Sequence, residues 1–91
     1  KKRETRRIRD AHDRALIDLL SLYRDVLVVQ LEAGTDLVNV DFEKEIEDIA
    51  GSITADKTIA IMDEISLARE RIGANVAPLL AIEAMMMAMR R

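Results

Sequence analysis

The chain's 91 residues are 49% hydrophobic and 34% charged, with 2% aromatic residues, one His, one Pro and no Cys; this allows one domain with a modest core and excludes two packed ones. The missing cysteines remove disulfides, CxxC redox pairs and thiolate metal sites, so a reducing, cytoplasmic setting is expected. Lys and Arg number 14 against 17 Asp and Glu, a formal charge of -3, so the overall balance does not attract nucleic acid.

The start of the chain is locally basic. Within residues 1–14, Lys1, Lys2, Arg3, Arg6, Arg7, Arg9 and Arg14 face Glu4, Asp10 and Asp13, a net charge of plus four, and the remainder sums to minus seven. Ten acids fall between Glu32 and Glu64, opposed by Lys44 and Lys57 alone, so the molecule is expected to be electrically polar. Opening on Lys1, with no cleavable apolar leader, the chain reads as a fragment of a larger protein. No run approaches the ~20 apolar residues that span a bilayer, and Val26 to Leu31 is interrupted by Gln30.

Gly34, Gly51, Gly73 and Pro78 divide the sequence into four stretches, which predicts an all-α bundle of about four helices. The first helix runs from the basic start to about Ala33. Ile8, Ala11, Ala15, Leu19, Leu22, Val26 and Val29 form one apolar line, Leu16, Leu20, Tyr23, Leu27 and Leu31 a second, and Arg14, Asp18, Ser21, Asp25 and Glu32 a polar strip. Burial is expected after residue 15, with the earlier turns on the surface, projecting or disordered. Gly34 suits the helix C-cap.

The second helix is expected to be capped by Asn39 or Asp41, to point Phe42, Ile46, Ile49 and Ala50 inward, and to end at Gly51. The third starts after Thr54, buries Ile59, Ile61, Met62, Ile65, Ala68 and Ile72, leaves Glu64, Arg69, Glu70 and Arg71 wet, and stops at Gly73. Asn75 suits a cap and Pro78 a first turn of the fourth helix. There Leu79, Leu80, Ile82, Met85, Met86, Met87 and Met89 cover almost every direction, with Glu83 the one charge before Arg90. Two arrangements fit: a helix sandwiched at the centre, or one whose flank meets a partner. The second would place Leu79, Ile82, Met85, Met86 and Met89 at a subunit interface.

Chemistry finds little material. Asp10, His12 and Asp13 lack a second His, and Asp10 and His12 point in different directions on one helix; no Glu-x-x-His pair is present for a di-iron site. Asp36, Asn39, Asp41 and Glu47 miss the calcium-loop spacing. Ser21, Ser52 and Ser66 sit in no nucleophile elbow, and the isolated glycines make no phosphate cradle. The acids Glu43, Glu45, Glu47, Asp48, Asp63 and Glu64 could hold Mg²⁺ in an all-α nucleotide hydrolase, although an exposed acidic face accounts for them more simply. No catalytic, cofactor or metal residue is therefore assigned. The basic start could touch phosphates, but Tyr23 and Phe42, the two aromatics, lie in apolar lines and offer no stacking platform.

The end of the chain is more specific. Asn75, Val76, Ala77, Pro78, Leu79, Leu80, Ala81, Ile82, Glu83, Ala84, Met85, Met86 and Met87 resemble the closing N-x-N-P-x-L-A-L-E-x-L-L-L motif of bacterial clamp-loader subunits. Leu22, Tyr23, Arg24, Asp25, Val26 and Leu27 are similar to that family's W/Y-R-D-L-L block. Asp63 to Asn75, with Ala68, Arg69 and Arg71, resembles its helix ending in A-R-x-x-x-x-x-N. The order of the three blocks, across most of residues 12–91, points to the C-terminal collar domain of the DNA polymerase III delta-prime subunit, with gamma/tau a near relative. The methionines replace the usual leucines, and Ala77 replaces the motif's second Asn, leaving capping to Asn75. The resemblance implies a collar that joins the other loader subunits, delta and gamma/tau, beneath AAA+ motor domains encoded upstream. It implies no cofactor in this segment and no membrane contact, with DNA and the sliding clamp met through the whole complex. Self-association of the isolated segment is a further expectation.

Overall fold

The computed structural model describes residues 2–74 and 76–90, with side-chain surroundings from Arg6 onward. Helix α1 spans Lys2–Gln30, a 3-10 turn covers Val40–Phe42, and α2 (Glu43–Ser52), α3 (Ala55–Gly73) and α4 (Pro78–Met89) follow. All regular structure among the described residues is helical. The bundle is elongated, 46 × 27 × 16 Å. Helix α1 is its spine: α2 packs on its C-terminal half, α3 lies along it, and α4 packs on α3.

The main core joins α1, α3 and α4. Leu16, Ile61, Ile65, Ala68, Ile72, Ala81 and Met85 are buried together, with Leu19, Leu20, Tyr23, Ile53, Val76, Ile82 and Met89 packed around them. The inward positions of α3 recur at three- and four-residue steps, as an amphipathic helix requires. Two expected members differ: Ile59 is exposed and Met62 half-buried, whereas Thr58 is buried. Helix α1 is also wetter than expected, because Ile17 and Leu31 remain exposed.

Two polar clamps fix the connections. Asp25, expected on the outer strip, has no exposed surface, because the loop after α1 folds back over it. Its Oδ1 accepts the Val38 N–H at 3.1 Å, and its Oδ2 accepts the Asn39 N–H at 2.7 Å and the Asn39 Nδ2–H at 2.8 Å. Asn39 also donates to Ser21 Oγ at 3.2 Å, so its side chain ties the loop to α1 and makes no helix cap. Asp41 lies within the 3-10 turn, and Phe42 occupies the N-cap position of α2. In the second clamp Gln30 Nε2 donates to the carbonyls of Ile53 at 2.9 Å and Ala50 at 3.4 Å, closing the end of α2, and Gln30 Oε1 accepts the Thr58 hydroxyl at 2.7 Å.

Helix ends also depart from the glycine pattern. The left-handed residue ending α1 is Glu32 (φ 50°): Glu32 N–H bonds Val29 O and Ala33 N–H bonds Val28 O, a Schellman arrangement completed before Gly34. Gly34, also left-handed at φ 70°, lies in the following loop. Gly51 sits inside α2, which continues to Ser52, whereas α3 ends at Gly73 as expected. Thr54 behaves as expected, its Oγ1 accepting the Lys57 N–H at 3.1 Å. Asp13 and Arg69 join α1 to α3 at 2.8 Å, and that hydrogen bond raises the Arg69 pKa further.

Candidate functional site

Helix α4 begins at Pro78, where the missing N–H costs no intrahelical bond. Ala77 precedes it and offers no side-chain cap, while Asn75, the expected cap, lies outside the described residues. At the far end Lys57 Nζ donates to the Met89 carbonyl at 2.9 Å, placing a cation at the negative end of the helix dipole. Ala81 is fully buried against α3, and its small side chain lets the two helices approach closely.

Helix α4 packs chiefly on α3 and shares the core with α1, so it is an edge helix with one side in the core and the other exposed. Leu79, Leu80, Met86 and Met87 are 68%, 60%, 54% and 69% exposed, whereas Met85 is 5% exposed. Of the expected interface set, Leu79 and Met86 lie on the open side, Ile82 and Met89 are half-buried at the core margin, and Met85 belongs to the chain's own core. Leu80 and Met87 were missed. The signal for them was Ala81 and Met85, four apart, which mark the inward line and leave their neighbours facing out. Glu83 is exposed between Leu79 and Met87 on this side, so one charge punctuates an apolar face four side chains wide.

The residues considered for chemistry are dispersed or engaged. Ser52 Oγ donates to Asp48 O, Ser21 accepts from Asn39, and His12 Nδ1 lies 2.7 Å from Ile8 O within its own helix. Among the described residues no three His, Asp or Glu side chains converge as a metal site. No helix among the described residues is long and apolar enough to cross a membrane. Compared with protein-family models, curated proteins and solved structures, the chain gives no match.

Proposed function

We propose that this chain is the collar, or oligomerisation, domain of a DNA polymerase III clamp-loader subunit of the delta-prime type. It supports ATP-dependent loading of the sliding clamp by holding its subunit in the loader, and performs no catalysis itself. The observation that carries the reading is the open side of α4. Four large apolar side chains stand uncovered on a helix whose opposite side is packed into the core. Covering them by a neighbouring subunit removes apolar surface from water at ~25 cal/mol per Å². The closing motif from Asn75 to Met87, which includes this helix, is also where the resemblance is most specific.

The test is co-purification of the full-length subunit with delta and gamma/tau, followed by clamp loading. Leu80→Asp with Met87→Asp should lower capture by about tenfold or more, since each buries an unpaired charge at the contact, while the melting curve stays unchanged. Failure of the wild-type subunit to join either partner, or a full-length sequence without an AAA+ region, rejects the proposal. Capture by unrelated proteins alone would leave the alternative of a helical interaction module outside the replication machinery.

A further inference from the structure

The apolar line of α1 is covered along only half its length. Val26 is fully buried where α2 packs. Further up, Ala15, Leu19 and Leu22 form the floor of an open groove of about 600 Å³, closed on one side by Phe42 and rimmed by Asp18, Asn39 and Glu45. Ala11 and Ile8 continue the same line at helical spacing, and both are exposed, as is Phe42. From Ile8 to Leu22 this track extends ~21 Å at the α-helical rise.

Its charges change sign along its length. Arg7 and Arg14 flank the upper half, and Asp18 and Glu45 flank the lower half; all four are exposed. Ala11 and Ala15 stand near the middle, where small side chains permit a second helix to come close. Because Ile8 and the groove lie on one continuous helix, a chain cannot fill its own groove.

We propose that this track is a two-fold self-association surface, filled by α1 of a second copy running antiparallel and crossing at Ala15. Ile8 of each copy then enters the groove of the other beside Leu22 and Phe42. Arg14 of each copy lies over Asp18 of the other, and Arg7 over Glu45. A parallel pairing is disfavoured, because it brings Arg7 and Arg14 of both copies to one end of the contact and Asp18 and Glu45 of both to the other. The contact is one helix face ~21 Å long, so the expected dimer is weak, with a dissociation constant of about micromolar order or above. The proposal is independent of the clamp-loader reading and uses α1 and α2, whereas the open side of α4 belongs to a helix packed on α3.

Sedimentation equilibrium of the 91-residue chain tests it, with circular dichroism as the check on folding. A monomer–dimer equilibrium is expected that weakens by about tenfold from low to high salt. Ala15→Glu puts like charges on the two-fold axis and should abolish the dimer without changing the melt. Leu80→Asp on α4 should leave the dimer intact. Arg7→Glu with Arg14→Glu, and separately Asp18→Lys with Glu45→Lys, should each give monomers that reassociate as a heterodimer when mixed. A monomer at every concentration overturns the proposal, as does a dimer that survives Ala15→Glu, one lost through Leu80→Asp, or failure of the charge-swapped pair to combine.

Discussion

Asn39 is bound twice by one oxygen of Asp25, through its backbone N–H at 2.7 Å and its side-chain amide at 2.8 Å. With the Val38 N–H on the other oxygen, the carboxylate fixes the loop that brings the chain from α1 to α2. Replacing Asp25 by Ala leaves two backbone donors without their acceptor. The expected loss is about 3 kcal/mol, since hydrogen bonds to charged groups are worth more than neutral ones and each stranded donor adds a desolvation cost. Urea unfolding of Asp25→Ala checks this, and Asp25→Asn, which keeps one acceptor oxygen, should lose less.

The same carboxylate gives stability a dependence on pH. Burial pushes the Asp25 pKa up, but the Asn39 N–H, the Asn39 amide, the Val38 N–H and the Arg24 guanidinium together outweigh it, leaving the pKa below its ordinary 3.8. As the unfolded chain takes up this proton first, the contribution is complete above the ordinary value and is lost as pH falls through it towards the lowered one. The urea midpoint should therefore fall in that acid range, and the fall should be smaller in Asp25→Asn. An equal fall in both proteins would assign the acid loss to other carboxylates.

Asp25 also shows where sequence reading stops. Helical period placed it with Arg14 and Asp18, because periodicity registers the face of a helix but not a loop that returns across it. Phe42 failed in the opposite sense: it continues the apolar line of Ile46, yet α2 buries Ile46 alone and leaves Phe42 exposed at the first turn. The signals that succeeded rest on backbone chemistry confined to a few residues, as with Thr54 capping α3 and Pro78 opening α4. The open side of α4 was legible as an excess of apolar positions. Its members needed the structure, because which of Met85 and Met87 faces inward depends on how the helix is rotated against α3.

Gln30 and Thr58 should be energetically coupled. The Gln30 amide closes the last turn of α2 while its oxygen accepts the Thr58 hydroxyl at 2.7 Å, so one side chain links α1, α2 and α3. Gln30→Ala is expected to cost about 2 kcal/mol, and Thr58→Val about 1 kcal/mol. The double variant should lose about 1 kcal/mol less than the sum, because the shared bond can be lost only once. Additive losses in a urea double-mutant cycle would show that the two side chains act separately.

Glu32 is a site for stabilisation. Its φ of 50° places a side chain with Cβ in the left-handed region, and its negative charge sits at the negative end of the α1 dipole. Glycine removes both penalties, although it also frees the unfolded chain, so Glu32→Gly should gain about 0.5–1 kcal/mol. Gly34→Ala makes the converse change at φ 70°. An added Cβ there meets no atom within 4 Å, so its expected loss of about 1 kcal/mol is backbone strain alone. Thermal melts of the two variants should move in opposite directions.

Met85 and Met87 separate packing from partner contact within one helix. Met85 lies in the core formed with Ile61, Ile65 and Leu16, so truncation leaves a cavity, and Met85→Ala should cost about 2–4 kcal/mol. Met87 is 69% exposed, and Met87→Ser should change stability by less than about 0.5 kcal/mol. Under the collar proposal the order reverses for binding: Met87→Ser, with Leu80→Ser, weakens capture by the loader subunits in a protein that melts normally. Met85→Ala should bind whenever enough of it is folded. A Met87→Ser, Leu80→Ser protein that binds as wild type would move the partner surface away from α4.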